Sequence, residues 1–567
     1  VVEVPLTEYQ KANLIRTPKG QVYYPALTQA PARQPPPAQA QSGGLFWWSI
    51  GDGAMQTDTF AASAVNAPVR LRMARDGSAC AVVVVEAAQA VKDISITAPG
   101  AVKGVATLTV QRARVMPQLL GYRSSLFAFI PEILDPLPKA FSLAPGERAQ
   151  FFIRAHALPM AHTQGSAAMT LTLADGRKTV VPIEVSVAPF ALAPCPADFT
   201  WGLYPDPGRW EKYTDAQLDA ELRWLRQCGM TTLLLYPPYQ SISEFGKLDD
   251  SKADAAVAAW KKSLEAWGNR YLRAFERAGF GPRYVCNIQS LSKHLSKATG
   301  IKIIEEHQYD TALLPWVRRY VAALEEVRRA NNWPFFYYHL VDEPGGSLDP
   351  RANAEFSLLK QLGLHQYTTA NHENVVRDFR DKLDVFCCAS GVFRVQASVE
   401  RIRSWLKDYP NAQVWQYGGA GAYSGQEGRI AHNRFGSGLL SWKLGVSGLF
   451  LWTFQRMYGE PANDFDDAMK DAAMTYPAPG GGASLSTLQW EGVCQGIEDY
   501  RHLRMIETLV AQRLKEGGPA AAKAKDAAAW LAQFKQSLWT YALSQPPSNA
   551  LMDQWRGELL DRIAVLN

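Results

Sequence analysis

The chain has 567 residues, 47% of them hydrophobic and 20% charged, with 59 Lys plus Arg against 54 Asp plus Glu for a formal charge of +5. That composition excludes a disordered chain and gives material for several domains with large cores. The cationic surplus is small and forms no block able to track phosphates, which argues against nucleic acid as a partner, and no apolar run reaches the ~20 residues needed to span a bilayer. Seven Cys form no CxxC pair, so structural zinc is not expected and core thiols are. The 17 Trp, 22 Tyr and 23 Phe suit core packing, and equally the stacking of sugar C–H faces on aromatic rings.

In chain order, residues 1–44 read as an extended strap or linker, ending in the Pro-rich "ARQPPPAQAQ" of 32–41. From 45 to about 190 the texture is all-β. Segments 69–74, 80–87, 106–115, 149–158, 167–176 and 179–187 alternate or run apolar and β-branched, and Asp175-Gly176 reads as a hairpin turn. Short strands with regular turns predict a β-sandwich, closed by a Pro-bearing linker at 188–196.

Over 196–512 strand-like runs alternate with amphipathic helices. Strands are expected at 199–204, 231–237, 282–289, 335–344, 365–371, 384–390, 412–419 and 446–454, and helices at 215–227, 253–278, 313–329 and 350–362 among others. Asp349 before Pro350 is an N-cap with proline at the first helical position. Eight strands alternating with eight helices over ~310 residues fit a (β/α)8 TIM-type barrel. No GxGxxG follows a strand, which counts against a dinucleotide fold. Residues 513–567 read as a helical C-terminal tail. The fold class expected is therefore β plus α/β: sandwich, barrel and tail.

A barrel of this kind places its active site at the C-terminal strand ends. Those ends carry Trp201, Tyr236, Asn287, Asn371, His372, Trp415, Tyr417 and Trp452, an aromatic and amide-rich rim. Only the fourth strand ends in two acids, Asp342 and Glu343 in "HLVDEP". Neighbours in a regular strand point to opposite faces, so two adjacent acids share a pocket only where the strand stops, and Pro344-Gly345-Gly346 marks that stop. Sugar hydrolysis needs an acid for the leaving oxygen and a stabiliser for the oxocarbenium-like centre, so rim and acids together point to a glycan substrate. The alternative for the pair is a charged strand end, with Asp342 or Glu343 capping the loop or pairing with Arg351.

The remaining polar residues are read more plainly. His339 reads as a core histidine, and Asp464, Asp466 and Asp467 as a solvated loop after the eighth strand. The Gly-rich segment 418–428 lacks the Lys-Ser/Thr of a phosphate loop and reads as a lid.

Over about 150–505 the chain resembles glycoside hydrolase family 123 and its uncharacterised barrel relatives. The resemblance rests on "VPIEVSVAPFAL", "YYHLVDEP", "VWQYG", "WKLGVSGLFLWTF" and "LQWEGVCQGIEDYRHL". It implies a retaining exo-glycosidase that removes terminal β-linked N-acetylhexosamine, GalNAc before GlcNAc, by substrate-assisted catalysis. Glu343 would be the general acid, and Asp342 would orient the 2-acetamido group. From the residues themselves, Tyr417 is read either as a donor to the acetamido oxygen or as a barrel-core tyrosine, Trp452 with Trp415 either as the pocket floor or as barrel-layer packing, and Asn371-His372 either as holding sugar hydroxyls or as a cap and turn, while Asn287, Tyr236 and Trp201 are expected to line the pocket from the strand-end rim. The resemblance implies no metal or cofactor, and a secreted or periplasmic location. Where relatives often carry Arg before the last helix, this chain has Gln489 and Cys494. Two alternatives stay open: a glycosidase for a non-acetamido glycan, with Glu427 as its second carboxylate, and a non-catalytic carbohydrate-binding relative.

Overall fold

The computed structural model describes residues 8–18, 20–25, 44–50, 65–120, 124–304, 308–345, 349–418, 428–466 and 470–567. Most of the Pro-rich strap, Glu427 with most of the Gly-rich segment, and Asp467 lie outside the described residues.

The N-terminal third folds into an eight-stranded and a five-stranded sheet. Strict alternation builds their shared core: in Val69–Arg75, Val69, Leu71 and Met73 are buried while Arg70 and Arg72 are exposed. One continuous apolar cluster takes Val83, Val85, Phe151 and Ile153 from the first sheet and Met169, Leu171, Val181 and Ile183 from the second. The Asp175-Gly176 turn does join two antiparallel strands, Gln164–Thr172 and Lys178–Ala191, with Gly176 at φ +84°. Two expectations shift here. Val22–Pro25, within the expected strap, pairs in parallel with Leu126–Asp135. The strand starting at Lys178 runs through the expected linker to Ala191, held by parallel pairing with Val69–Arg75.

The rest of the chain is built on eight short parallel strands: β1 (Thr200–Leu203), β2 (Leu234–Leu235), β3 (Tyr284–Asn287), β4 (Phe336–His339), β5 (Tyr367–Ala370), β6 (Val385–Ala389), β7 (Gln413–Tyr417) and β8 (Gly448–Leu451). They form two curled sheets, ordered β1-β8-β7-β6-β5 and β2-β3-β4. At one seam the Thr231 and Thr232 N–H groups donate to the Trp201 carbonyl at 2.8 and 3.0 Å. At the other, the Tyr338 N–H donates to the His365 carbonyl at 2.8 Å, beside a parallel bridge between Tyr338 and Gln366. A single interior cluster draws from all eight strands or their ends, including Tyr204, Leu234, Val285, Tyr337, Tyr367, Cys387, Trp415 and Phe450.

Helices cover the outside where periodicity placed them. Among them are α1 (Asp215–Gln227), α2 (Ala253–Ala278), α3 (Leu314–Ala330) and α4 (Pro350–Gln361). Asp349 caps α4 by accepting from the Ala352 N–H at 2.9 Å. The last long helix, α5 (Leu488–Glu516), runs past the boundary expected at 512, and α6 (Gly518–Ser537) and α7 (Asn549–Leu566) follow. No helix among the described residues is long and apolar enough to cross a membrane. All seven Cys are free, six of them buried.

Candidate active site

β4 stops at His339, and the chain leaves it through the buried Leu340 and Val341. Glu343 then adopts φ +45°, a left-handed conformation costing a non-glycine residue about 1–2 kcal/mol. That reversal turns two successive acids toward one mouth, where a regular strand would separate them.

Two threonines of β5 hold the reversal in place. The Thr368 hydroxyl donates to the Val341 carbonyl at 2.8 Å. The Thr369 hydroxyl accepts from the Glu343 N–H at 3.0 Å and itself donates to Asp342 Oδ1. One oxygen atom thus fixes the backbone of one acid and the carboxylate of the other.

Asp342 also faces His339, with Nε2 at 3.3 Å from Oδ1. Burial pushes the Asp342 carboxyl up, but the hydrogen bond and attraction of His339 and the Thr369 hydroxyl outweigh it and hold it below the usual carboxylate range. Its side chain is still 48% exposed. Glu343 points into the same opening, where Oε1 accepts from the Tyr417 hydroxyl at 2.6 Å. Asn371 Oδ1 lies within reach of that same hydroxyl. Tyr417 has one proton for two acceptors, and burial together with Glu343 raises its phenol far above the ordinary range, so it is a donor at any working pH.

Arg351 does not neutralise the pair. Its Nε lies 3.2 Å from Glu355, and its Nη2 donates to the carbonyls of Gln289 and Leu340 at 3.3 and 3.4 Å. The salt-bridged strand end weighed from sequence is therefore not what forms. Asp206, which follows β1, accepts from the Gly208 N–H at 3.0 Å as a helix cap.

Tyr236 and Asn287 form the neighbouring arc of the mouth. Burial and the charge of Asp342 raise the Tyr236 phenol, while Asn287 hydrogen-bonds it. Trp452 lies half-buried just past β8, against the interior aromatic cluster. His372 is exposed beside Asn371, with no hydrogen bond to the acids among the described residues.

Two expected rim residues are not at the rim. Trp201 is fully buried and faces the helices, packed on Phe199 and Tyr500 with centroids 4.2 and 5.1 Å away. In β1 it is Gly202 that faces inward, where a Cβ would lie 2.4 Å from the Phe450 ring. Trp415 does face inward but sits two residues below Tyr417, fully buried and stacked on Phe450 at 5.5 Å. It is interior packing, not a pocket floor.

Thr369 was missed because "YTTA" reads as an ordinary β-branched strand. His339 is fully buried as expected, yet it is also a partner of Asp342. Asp464 was read as solvated but is buried, accepting from the Leu119 and Asp471 N–H groups at 2.8 and 2.9 Å. Gln489 is buried away from the acids, accepting from the Gly428 N–H at 2.9 Å and donating to Glu132. Among the described residues no group of three His, Cys, Asp or Glu could hold a metal ion.

No protein-family profile matches the chain, and no curated protein matches it in sequence. Among solved structures, a family 123 glycoside hydrolase from Clostridium perfringens, studied for glycolipid glycan hydrolysis, is similar over 83% of this chain and 95% of its own. The TM-score is 0.60 at 11% identity. A family 39 glycoside hydrolase from Bacteroides cellulosilyticus covers 71% of this chain and 80% of its own, at TM-score 0.36 and 12% identity, a score too low to carry weight. The likeness to the Clostridium protein is one of fold.

Proposed function

We propose that the protein is a retaining exo-glycosidase that removes terminal β-linked N-acetylhexosamine, GalNAc in preference to GlcNAc, by substrate-assisted catalysis. The observation that carries this reading is the arrangement at the end of β4. Two adjacent acids share one mouth, both pinned through Thr369, with Tyr417 donating to Glu343. The fold likeness to a family 123 hydrolase supports it. So does reading the two curled sheets as one (β/α)8 barrel behind a β-sandwich, which puts this mouth where such barrels carry their chemistry.

Glu343 gives its proton to the glycosidic oxygen as the bond to the anomeric carbon breaks. The acetamido carbonyl oxygen closes on that carbon from the opposite face, while Asp342, held in its ionised form, accepts from the acetamido N–H. Tyr417 exchanges Glu343 for the acetamido oxygen as acceptor. Water then opens the cyclic intermediate with Glu343 as base, restoring both the configuration and the protonated acid. The substrate supplies the nucleophile, so a second strand-end carboxylate is not needed.

Aryl β-glycosides in matched pairs, GalNAc against Gal and GlcNAc against Glc, test this directly. Hydrolysis confined to the acetamido members, with inhibition by a thiazoline mimic of the cyclic intermediate, is the expected result. Turnover of the plain sugars sinks the acetamido mechanism. No turnover with retained sugar binding identifies a non-catalytic relative.

A further inference from the structure

A crevice of about 480 Å³ lies between the segments that follow β1 and β2 and one face of α2, and neither Asp342, Glu343 nor Tyr417 lines it. The helix supplies Trp267, Tyr271 and Phe275 at four-residue spacing, so their rings form one stripe. Facing elements add Tyr236, Tyr239 and His294. Tyr239 is stacked on His294 at 5.0 Å and donates to the Asn287 carbonyl at 3.1 Å. Tyr236, Tyr239, Trp267 and Tyr271 are only partly buried. Protein cores leave few voids larger than a water molecule, about 30 Å³, whereas this space has the size of a ligand pocket.

The charge of the wall identifies the occupant. Two carboxylates line the crevice, Glu211 and Glu244, both exposed, and no Lys or Arg does among the described residues. Burial, with Lys297 nearby, lowers the His294 imidazole below its ordinary value, so that ring is neutral at pH 7. Pro205, Pro207, Pro237 and Pro238 also line the space, and proline has no N–H to offer an anion. Ring faces carry negative potential, so the rings and the acids favour the same sign of ligand. One face of the stripe already takes a cation. The Arg270 guanidinium lies over the Tyr271 ring at 5.2 Å, its own charge met by Asp215 at 3.3 Å. A primary ammonium is strongly hydrated and asks for three acceptors, which a wall of rings and prolines does not supply. An alkylated ammonium instead presents its charge through C–H groups, which rings accept and the two carboxylates balance.

We propose that the crevice is a binding site for an alkylated ammonium ion, the head group that choline carries, separate from the acid pair and independent of the glycosidase reading. The test titrates the intact chain with choline and with 3,3-dimethylbutan-1-ol, which has the same shape but carbon in place of the charged nitrogen, followed by nuclear magnetic resonance. Choline should bind at least about tenfold more tightly than the alcohol. No choline binding, or equal binding of the two, overturns the proposal.

Two variants locate the site. Trp267→Ala should weaken choline at least about tenfold. Should that variant not fold, the exposed double change Glu211→Gln with Glu244→Gln decides, since it leaves every ring in place. It should weaken choline about fivefold or more and leave the alcohol unchanged. Choline binding that survives in the folded variants lies elsewhere and overturns the proposal. Methyl β-galactoside that displaces choline from the wild type would make the crevice a site for neutral sugars and overturn it equally.

Discussion

Asp499, in the middle of α5, and Asp342, past the end of β4, are both carboxylates held by hydrogen bonds, but in contrary surroundings. Asp499 is 2% exposed and sits between two equally buried guanidiniums, with Arg434 Nε at 2.6 Å and Arg556 Nε at 2.5 Å. Arg434 reaches on to Asn549 and Arg556 to the Gln495 carbonyl, at 2.7 Å each, so α5, α7 and the helix Ile430–Arg434 are laced together. Burial raises the Asp499 carboxyl, but the two arginines overcome this and keep it ionised. Among the described residues, Asp342 and Glu343 hydrogen-bond to or face a histidine, a threonine and a tyrosine, and both are exposed. Where charge is matched inside the protein it fixes helices. Where acids are oriented by uncharged hydroxyls and left open, their remaining capacity is free for a ligand.

That contrast can be broken by experiment. Glu343→Gln should lower kcat/KM on the acetamido glycoside by about 10²- to 10⁴-fold, the range of a general acid, with no change in Tm. A stability loss comparable to that of an Asp499 variant would show the two clusters to be alike. Asp499→Asn should destabilise the fold by about 3–5 kcal/mol, because the buried Arg556 guanidinium loses its counter-charge and the buried Arg434 is left with Asp553 alone. Urea unfolding measures this, and turnover per folded molecule should stay at the wild-type level.

Asp471 sharpens the comparison as a buried carboxylate without an arginine. It accepts from the Tyr458 and Ala462 N–H groups at 2.7 and 3.0 Å. Burial, with Asp464 and Asp466 nearby, raises it from the ordinary 3.8 to about 7. Between those values the folded state holds a proton that the unfolded chain has released. Its contribution to stability is therefore complete below about pH 4 and declines as pH rises to about 7. Tm measured from pH 4 to 8 should show that decline, and Asp471→Asn should flatten it.

Much of this was legible from residue pattern. The helices Asp215–Gln227 and Ala253–Ala278, the Asp349 cap and the Asp175-Gly176 turn are local events, set by periodicity and turn chemistry. The acid pair was legible because it breaks an apolar run. What pattern could not settle was which way an apolar strand faces. Short parallel strands are apolar on both sides, so Trp201 and Trp415 looked alike at strand ends although one packs on helices and the other fills the interior. Thr369 was invisible for a different reason, since its role exists only across a strand seam. Asp464 was misread because its partners are backbone N–H groups, one of them Leu119 far back in the chain, which residue pattern does not reveal.

That seam carries a consequence for assembly. Asp342 and Glu343 follow a strand of the three-stranded sheet, while Thr368 and Thr369 belong to the five-stranded one. Neither sheet alone holds a shaped pair of acids, and a one-residue slip of β5 would turn the Thr369 hydroxyl away from them. Turnover is thus an assay for closure: during refolding, helical signal from the outer layer should recover first, and enzymatic activity only once the two sheets have met in register.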